Sequence, residues 1–181
     1  DRVIDGAFAV TFRLFPLDSN VGLGEFTLDV ESTFTNLSVD GESINGDVRV
    51  VLTSTNTGSF SIATTGSLLE VTVAGRTTSL SDFAVNVEDD GIEFITSSFD
   101  FTLDDSTLDG QVVVTTLEDF ITLRTEEHPM SGSLRITGAD GATATLIALD
   151  STNVQIDIDS NGDGIAETTI FTTWDELEET T

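Results

Sequence analysis

The sequence predicts an all-β chain, an antiparallel meander of about twelve amphipathic strands closed as a sandwich or curled as a half-barrel. Two observations carry this. Apolar residues recur at every second position in segment after segment, the period at which strand side chains alternate between faces. Glycine-containing turn signals separate those segments at short, fairly regular intervals, which suits hairpins.

Phe8, Val10, Phe12 and Leu14 alternate with Ala9, Thr11 and Arg13. Phe26, Leu28, Val30 and Phe34 alternate with Thr27, Asp29, Glu31 and Thr33. The pattern continues through Val48/Val50/Leu52, Leu69/Val71/Val73, Phe83/Val85/Val87, Phe99/Phe101/Leu103 and Leu134/Ile136. The intervening positions hold Thr, Ser, Asp and Arg, so one face is dry and the other wet, as in antiparallel sheets. Phe12, Phe26, Phe34, Phe83, Phe99 and Phe101 are therefore expected in the core. Turns are expected at Asp40-Gly41, Asn56-Thr57-Gly58, Thr65-Gly66, Ala74-Gly75, Asp90-Gly91, Asp140-Gly141 and Asn161-Gly162. Only the tail reads as helical: Thr173 and Glu176 have capping-box spacing around Trp174. Residues 174–181 are read as an acidic, fraying end.

The 181 residues suit a single domain over 1–181. A weak repeat runs through it. Leu37-Ser-Val39-Asp40 leads to Gly46, Phe101-Thr-Leu103-Asp104 to Gly110, and Phe15-Pro-Leu17-Asp18 to Gly24. Each copy reads as a strand, an Asp-initiated loop and a glycine opening the next strand.

Thirty-three acidic residues stand against six Arg and no Lys, giving a net charge of −27. Such a chain repels phosphate backbones and anionic lipid, which argues against nucleic-acid and membrane-surface partners. Its self-repulsion is screened by salt, so a saline environment and halotolerance are expected. With no Cys there is neither a disulfide nor thiolate chemistry. The start at Asp1, without Met or a basic leader, reads as a mature polypeptide after signal-peptide removal, hence extracellular or cell-surface. No apolar run approaches the length of a membrane helix.

One local motif carries chemistry. Asp157-Ile-Asp159-Ser-Asn161-Gly162-Asp163-Gly164 resembles the calcium loops of EF-hand, dockerin and thrombospondin type-3 families. Those loops set oxygen ligands at alternate positions and a glycine at the sixth. The resemblance implies calcium at Asp157, Asp159, Asn161 and Asp163. It departs at the close, where Thr168 occupies the place of the bidentate carboxylate and Glu167 comes one residue early. The alternative is a bare Asn-Gly hairpin. Register favours a longer loop, Asp159 to Ile165, pairing Ile158 with Ala166 and Ile156 with Thr168.

His128, the sole histidine, sits in a polar Glu-Glu-His-Pro segment and is expected to be an exposed loop residue. A Ser-His-Asp triad would need it, and no Gly-x-Ser-x-Gly elbow accompanies it. One His without Cys is too few N or S ligands for zinc. The expected function is non-enzymatic: a secreted structural subunit that assembles with copies of itself into a filament or matrix. Residues 1–16 are read either as the first strand of the domain itself or as a donor strand exchanged with a neighbour, because Gly6–Phe15 is long and alternating and carries one charge, Arg13. The alternative is a half-barrel carrier with an apolar ligand on its Phe-rich face.

Overall fold

The structure, a computed structural model, describes residues 4–16, 25–108 and 110–179. The chain runs β1 (Ile4–Pro16), β2 (Phe26–Val39), β3 (Glu42–Ser54), β4 (Phe60–Val73), β5 (Arg76–Asp89) and β6 (Phe94–Asp105). It continues β7 (Val112–Leu123), β8 (Ser131–Thr137), β9 (Thr143–Ala148), β10 (Asn153–Asp159), β11 (Thr168–Thr173) and α1 (Trp174–Glu178). The strands form one antiparallel sheet in sequence order. It does not close: among the described residues β1 pairs only with β2, and β11 only with β10.

The hairpin grammar is confirmed at the 40–41, 56–58, 74–75 and 139–141 turns. Thr65-Gly66 is different. It lies inside β4, and reading it as a turn cuts that strand in two, which accounts for expecting about twelve strands where the described residues form eleven. The repeat also needs correction. Gly46 is in mid-β3 and opens nothing, whereas Gly110 does precede β7; the third copy's Asp18 and Gly24 lie outside the described residues. The capping box is present: Thr173 accepts from the Glu176 N–H, and the Glu176 side chain reaches back to Thr173.

Register keeps apolar groups together across the sheet. Phe12 opposes Val30, Val30 opposes Val50, and the row continues through Thr64 and Val85 to Phe99. At the far end Leu134, Leu146, Ile156 and Ile170 stand in line. Among the described residues the buried hydrophobics are Phe83, Val114, Phe120, Ala148 and Val154. Of the six Phe expected in the core, Phe83 is buried; Phe26, Phe34, Phe99 and Phe101 are half-buried. Phe12 is 69% exposed. The alternation is right, but a single layer covers its apolar face only from the sides, and edge strand β1 has a neighbour on one side alone.

The segment read as either a first strand or a donor strand lies in its own sheet. Ile4–Pro16 pairs with β2 from Ile4 opposite Val39 to Pro16 opposite Phe26.

Candidate functional site

The strands from β2 to β7 are 12 to 14 residues long, about twice the usual length. They hold that length by bending. Register shifts fall in mid-strand between Phe34 and Leu37, Gly46 and Arg49, Ser81 and Ala84, Ser97 and Phe101, and Thr116 and Glu118. Followed from strand to strand, these bulges form one oblique row across the sheet. A bulge bends its strand and strengthens the local twist, so an aligned row creases the sheet.

Each bulge frees backbone groups, and polar side chains along the row take them up. The Asn36 N–H donates to Asn45 Oδ1 at 3.2 Å. The Ser67 N–H donates to Asp47 Oδ2 at 3.1 Å, and the Ser67 hydroxyl donates to the other Asp47 oxygen. The Thr116 N–H donates to Asp100 Oδ1 at 3.1 Å, while the Phe99 N–H donates to Thr116 Oγ1 at 2.7 Å. Close approach is bought with glycine: a Cβ on Gly46 would lie 2.0 Å from the Leu68 carbonyl oxygen. On Gly66 it would meet Phe83 Cζ at 2.2 Å.

Three of the five buried hydrophobics, Phe83, Val114 and Phe120, sit on or beside this row. Residues at a crease are buried when they lie inside the bend and bared when they lie outside it. Phe83, Val114 and Phe120 all belong to the apolar face, so burial along the row falls on that face. Ion pairs flank it. Asp89, 4% exposed, meets Arg124 at 3.1 Å, and Asp105, 4% exposed, meets Arg76 at 3.0 Å. Hydrogen bonds from Arg76, Thr107 and Thr78 hold the Asp105 carboxyl far below the ordinary carboxylate range. On the outer face Asp29 bridges β1 and β3, taking Arg49 Nε at 2.9 Å and Arg13 Nη1 at 3.3 Å. The Arg49 hydrogen bond is the main cause of its lowered pKa.

The second candidate is the loop between β10 and β11. Ile158 opposes Thr168 and Ile156 opposes Ile170, so the loop is longer at its C-terminal end than the sequence reading had it. Pairing Ile156 with Ile170 keeps two isoleucines together, which the shorter loop does not. Asp159 organises the loop from within, accepting from the N–H groups of Gly162 and Gly164, each at 2.7 Å. Burial pushes its carboxyl up. The backbone N–H groups of Gly164, Gly162, Asp163 and Asn161 together outweigh that and hold it below the ordinary value.

Asp159, Asp163 and Glu167 each bring one carboxylate oxygen to within 4.8 Å of the others. Two of the four expected ligands, Asp159 and Asp163, are in this trio, and Glu167 joins them. Asn161 sits beside it: its amide nitrogen donates to Glu167, and its oxygen accepts from the Asp163 N–H at 2.9 Å. Asp157 lies apart on the strand, accepting from Thr169 Oγ1 and Gln155 Nε2 at 2.7 and 2.8 Å. An open cleft of about 480 Å³ adjoins the loop, lined by Arg135, Thr143, Thr145, Asp157 and Asp159 among others.

His128 differs from expectation. Its side chain is 14% exposed and stacks on Trp174 with ring centroids 5.7 Å apart. Its nitrogens face Asp175 at 3.5 Å and Glu178 at 3.8 Å, so it fastens α1 to the β7–β8 connection.

The chain matches no family model, no curated protein and no solved structure. Sequence reasoning missed the crease. Its signal was there, in Gly46-Asp47 and Gly66-Ser67 interrupting otherwise regular alternation in neighbouring strands.

Proposed function

We propose that the chain is a non-enzymatic half-barrel carrier that holds an elongated apolar ligand, such as a long acyl chain, along its crease. The observation that supports this best is the bent apolar face. Half-buried Phe26, Phe34, Phe99 and Phe101 line a surface that no other layer covers among the described residues. The molecule exposes 11161 Å². A compact monomer of its mass would expose about 8,500 Å². An excess of that order is what a single-layer sheet leaves, the uncovered apolar face being part of it. The crease crosses β1 to β7, a path of about 29 Å at the usual strand spacing, which suits an extended chain better than a compact ring system.

The test is titration with a fluorescent monoacylglycerol, whose neutral headgroup avoids repulsion by the −27 charge. Saturable binding that Phe99→Asp abolishes and Phe171→Asp on β11 spares is the expected result. Equal binding by both variants, or none by the wild type, overturns the reading.

A second reading, self-assembly as a secreted or surface structural subunit, is favoured by the two open sheet edges. The acidic loop adds a binding role to either reading. Three carboxylates with no nitrogen or sulfur donor suit a hard cation, calcium above all. Asp159, Asp163 and Glu167 are the first ligands, with Asn161 and Asp157 as the wider donor set. Calorimetry with calcium chloride, with magnesium for comparison, tests this. Glu167→Gln is expected to abolish binding and Asp157→Asn to weaken it less. No heat at millimolar calcium removes the site.

A further inference from the structure

The outer edge of β1 is long, carries no net charge and is unpaired among the described residues. Natural edge strands are blunted by charge, proline or shortness. β1 runs for 13 residues, its only proline is the last, and its charges are one Asp and one Arg. It is neutral in a chain of net charge −27. It also concentrates exposed apolar side chains: Ile4 at 68%, Phe8 at 55%, Phe12 at 69% and Leu14 at 65%. Among the described residues it pairs on the β2 side alone, so about half of its backbone donors and acceptors face outward.

Strand parity selects the partner. In an antiparallel meander β1 and β11 are both odd-numbered and run in the same direction. A copy added head to tail would therefore set its β1 parallel to β11. That ladder would be of the weaker kind and limited to the six residues of β11. A two-fold axis perpendicular to the sheet instead sets β1 antiparallel to another β1, over the longer edge. It also keeps both apolar faces on the same side and closes the assembly.

Charge selects the register. Asp5, Ala9 and Arg13 share the outer face, as their partners Ser38, Thr33 and Asp29 on β2 show. With Ala9 on the axis, opposite the partner's Ala9, Asp5 faces the partner's Arg13 and Arg13 faces the partner's Asp5. On the inner face Phe8 then meets the partner's Val10, and Ile4 meets the partner's Leu14. Moving the axis by one residue sets Arg13 against Ala7 and Asp5 against Phe15, and both charge pairs are lost. Arg13 is half-exposed between Asp29 at 3.3 Å and Glu31 at 3.8 Å, so its guanidinium lies at the surface, where the partner's Asp5 would compete with Glu31 for it.

We propose that two copies of the chain pair edge to edge through β1, centred on Ala9, joining their sheets and their apolar faces into one. This rests on the assembly reading and names its surface; it does not depend on the carrier reading. The chain has no cysteine, so single cysteines report contact cleanly. Under mild oxidation Ala9→Cys is expected to give a disulfide-linked dimer, and Thr172→Cys on the β11 edge is not. In sedimentation equilibrium Asp5→Arg, which sets two arginine pairs face to face, is expected to weaken the dimer about tenfold. Asp5 is exposed and, among the described residues, its side chain accepts from the Gly6 N–H alone, so the fold is expected to stand without it. If the protein assembles but Thr172→Cys crosslinks as well as Ala9→Cys and Asp5→Arg changes nothing, the edge is overturned and the assembly reading survives. A strict monomer at every concentration overturns both.

Discussion

Replacing Gly46 by Ala isolates the crease from ordinary glycine strain when it is compared with Gly58→Ala. Both glycines adopt positive φ, +125° at Gly46 and +85° at Gly58, a region that costs a non-glycine residue about 1–3 kcal/mol. They differ in what a Cβ would meet. At Gly58, in the turn between β3 and β4, there is no heavy atom within 4 Å. At Gly46 the Leu68 carbonyl oxygen is at 2.0 Å and its carbon at 2.7 Å. That oxygen belongs to the neighbouring backbone and cannot rotate away, so overpacking adds about 1–3 kcal/mol at Gly46 alone. The expected destabilisation is about 1–2 kcal/mol for Gly58→Ala and about 3–5 kcal/mol for Gly46→Ala. For a chain of this size each kcal/mol lowers the melting midpoint by about 2–4 °C. Urea unfolding followed by far-ultraviolet circular dichroism measures both, with unchanged m-values as the sign that stability alone has altered. If the two variants agree within about 0.5 kcal/mol, the strands do not approach closely at Gly46 and the crease is misplaced.

Other outcomes test neighbouring parts of the argument. Phe120→Ala is expected to cost about 3–5 kcal/mol, since Phe120 is 3% exposed at the crease. Phe12→Ala, with the ring 69% exposed, is expected to cost less than about 1 kcal/mol; equal losses in chemical denaturation would refute the assignment of inside and edge. Asp29, Asp47, Asp105 and Asp159 all have lowered pKa values in the folded chain. The unfolded chain therefore binds more protons near pH 4, so their contribution is present above the ordinary carboxylate value and lost as pH falls through it and below. Thermal midpoints measured from about pH 6 to pH 3, in enough salt to screen self-repulsion, are expected to fall. A rising midpoint would show that these contacts do not outweigh the relief of negative charge.

Strand identity was legible because period-two alternation is a local signal, and all ten pairings among the described residues are between sequence neighbours. The layer number was not. Phe12 and Phe99 carry the same alternation, yet one lies on an edge and the other in mid-sheet, and alternation is blind to which neighbours flank a strand. Thr65-Gly66 shows the converse failure: a glycine beside a polar residue signals a turn or a bulge, and only the partner strand decides between them. Asp47 and Asp100 read as solvated residues of the wet face because their backbone partners, Ser67 and Thr116, lie 20 and 16 positions away. In the acidic loop the alternate oxygens were readable, but Glu167 was discounted by one place. The loop's real span, closed by the Glu167 N–H donating to the Ile158 carbonyl at 2.9 Å, is what turns that side chain inward.

The direction of the crease follows from the same alternation that made the strands visible. Asp29, Glu31, Asp47, Glu88, Asp100 and Asp157 all alternate onto the face opposite the Phe and Val rows. A sheet bent with its apolar side inward makes the acidic side convex, and convex curvature fans side chains apart. Bending the other way would crowd those carboxylates while baring the phenylalanines, so both hydrophobic and Coulomb terms select one sign of curvature. The arginines act in the same sense. Arg13, Arg49, Arg76 and Arg124 are each drawn to a buried aspartate, where an unpaired carboxylate would cost most. The exposed acids are left to solvent and cations. Position along the strands is then set by Gly46 and Gly66, and the broken ladder is repaired by Asn45, Asp47, Asp100 and Thr116. Charge and hydrophobicity thus choose which way the sheet bends, and a few small or acceptor-bearing residues choose where.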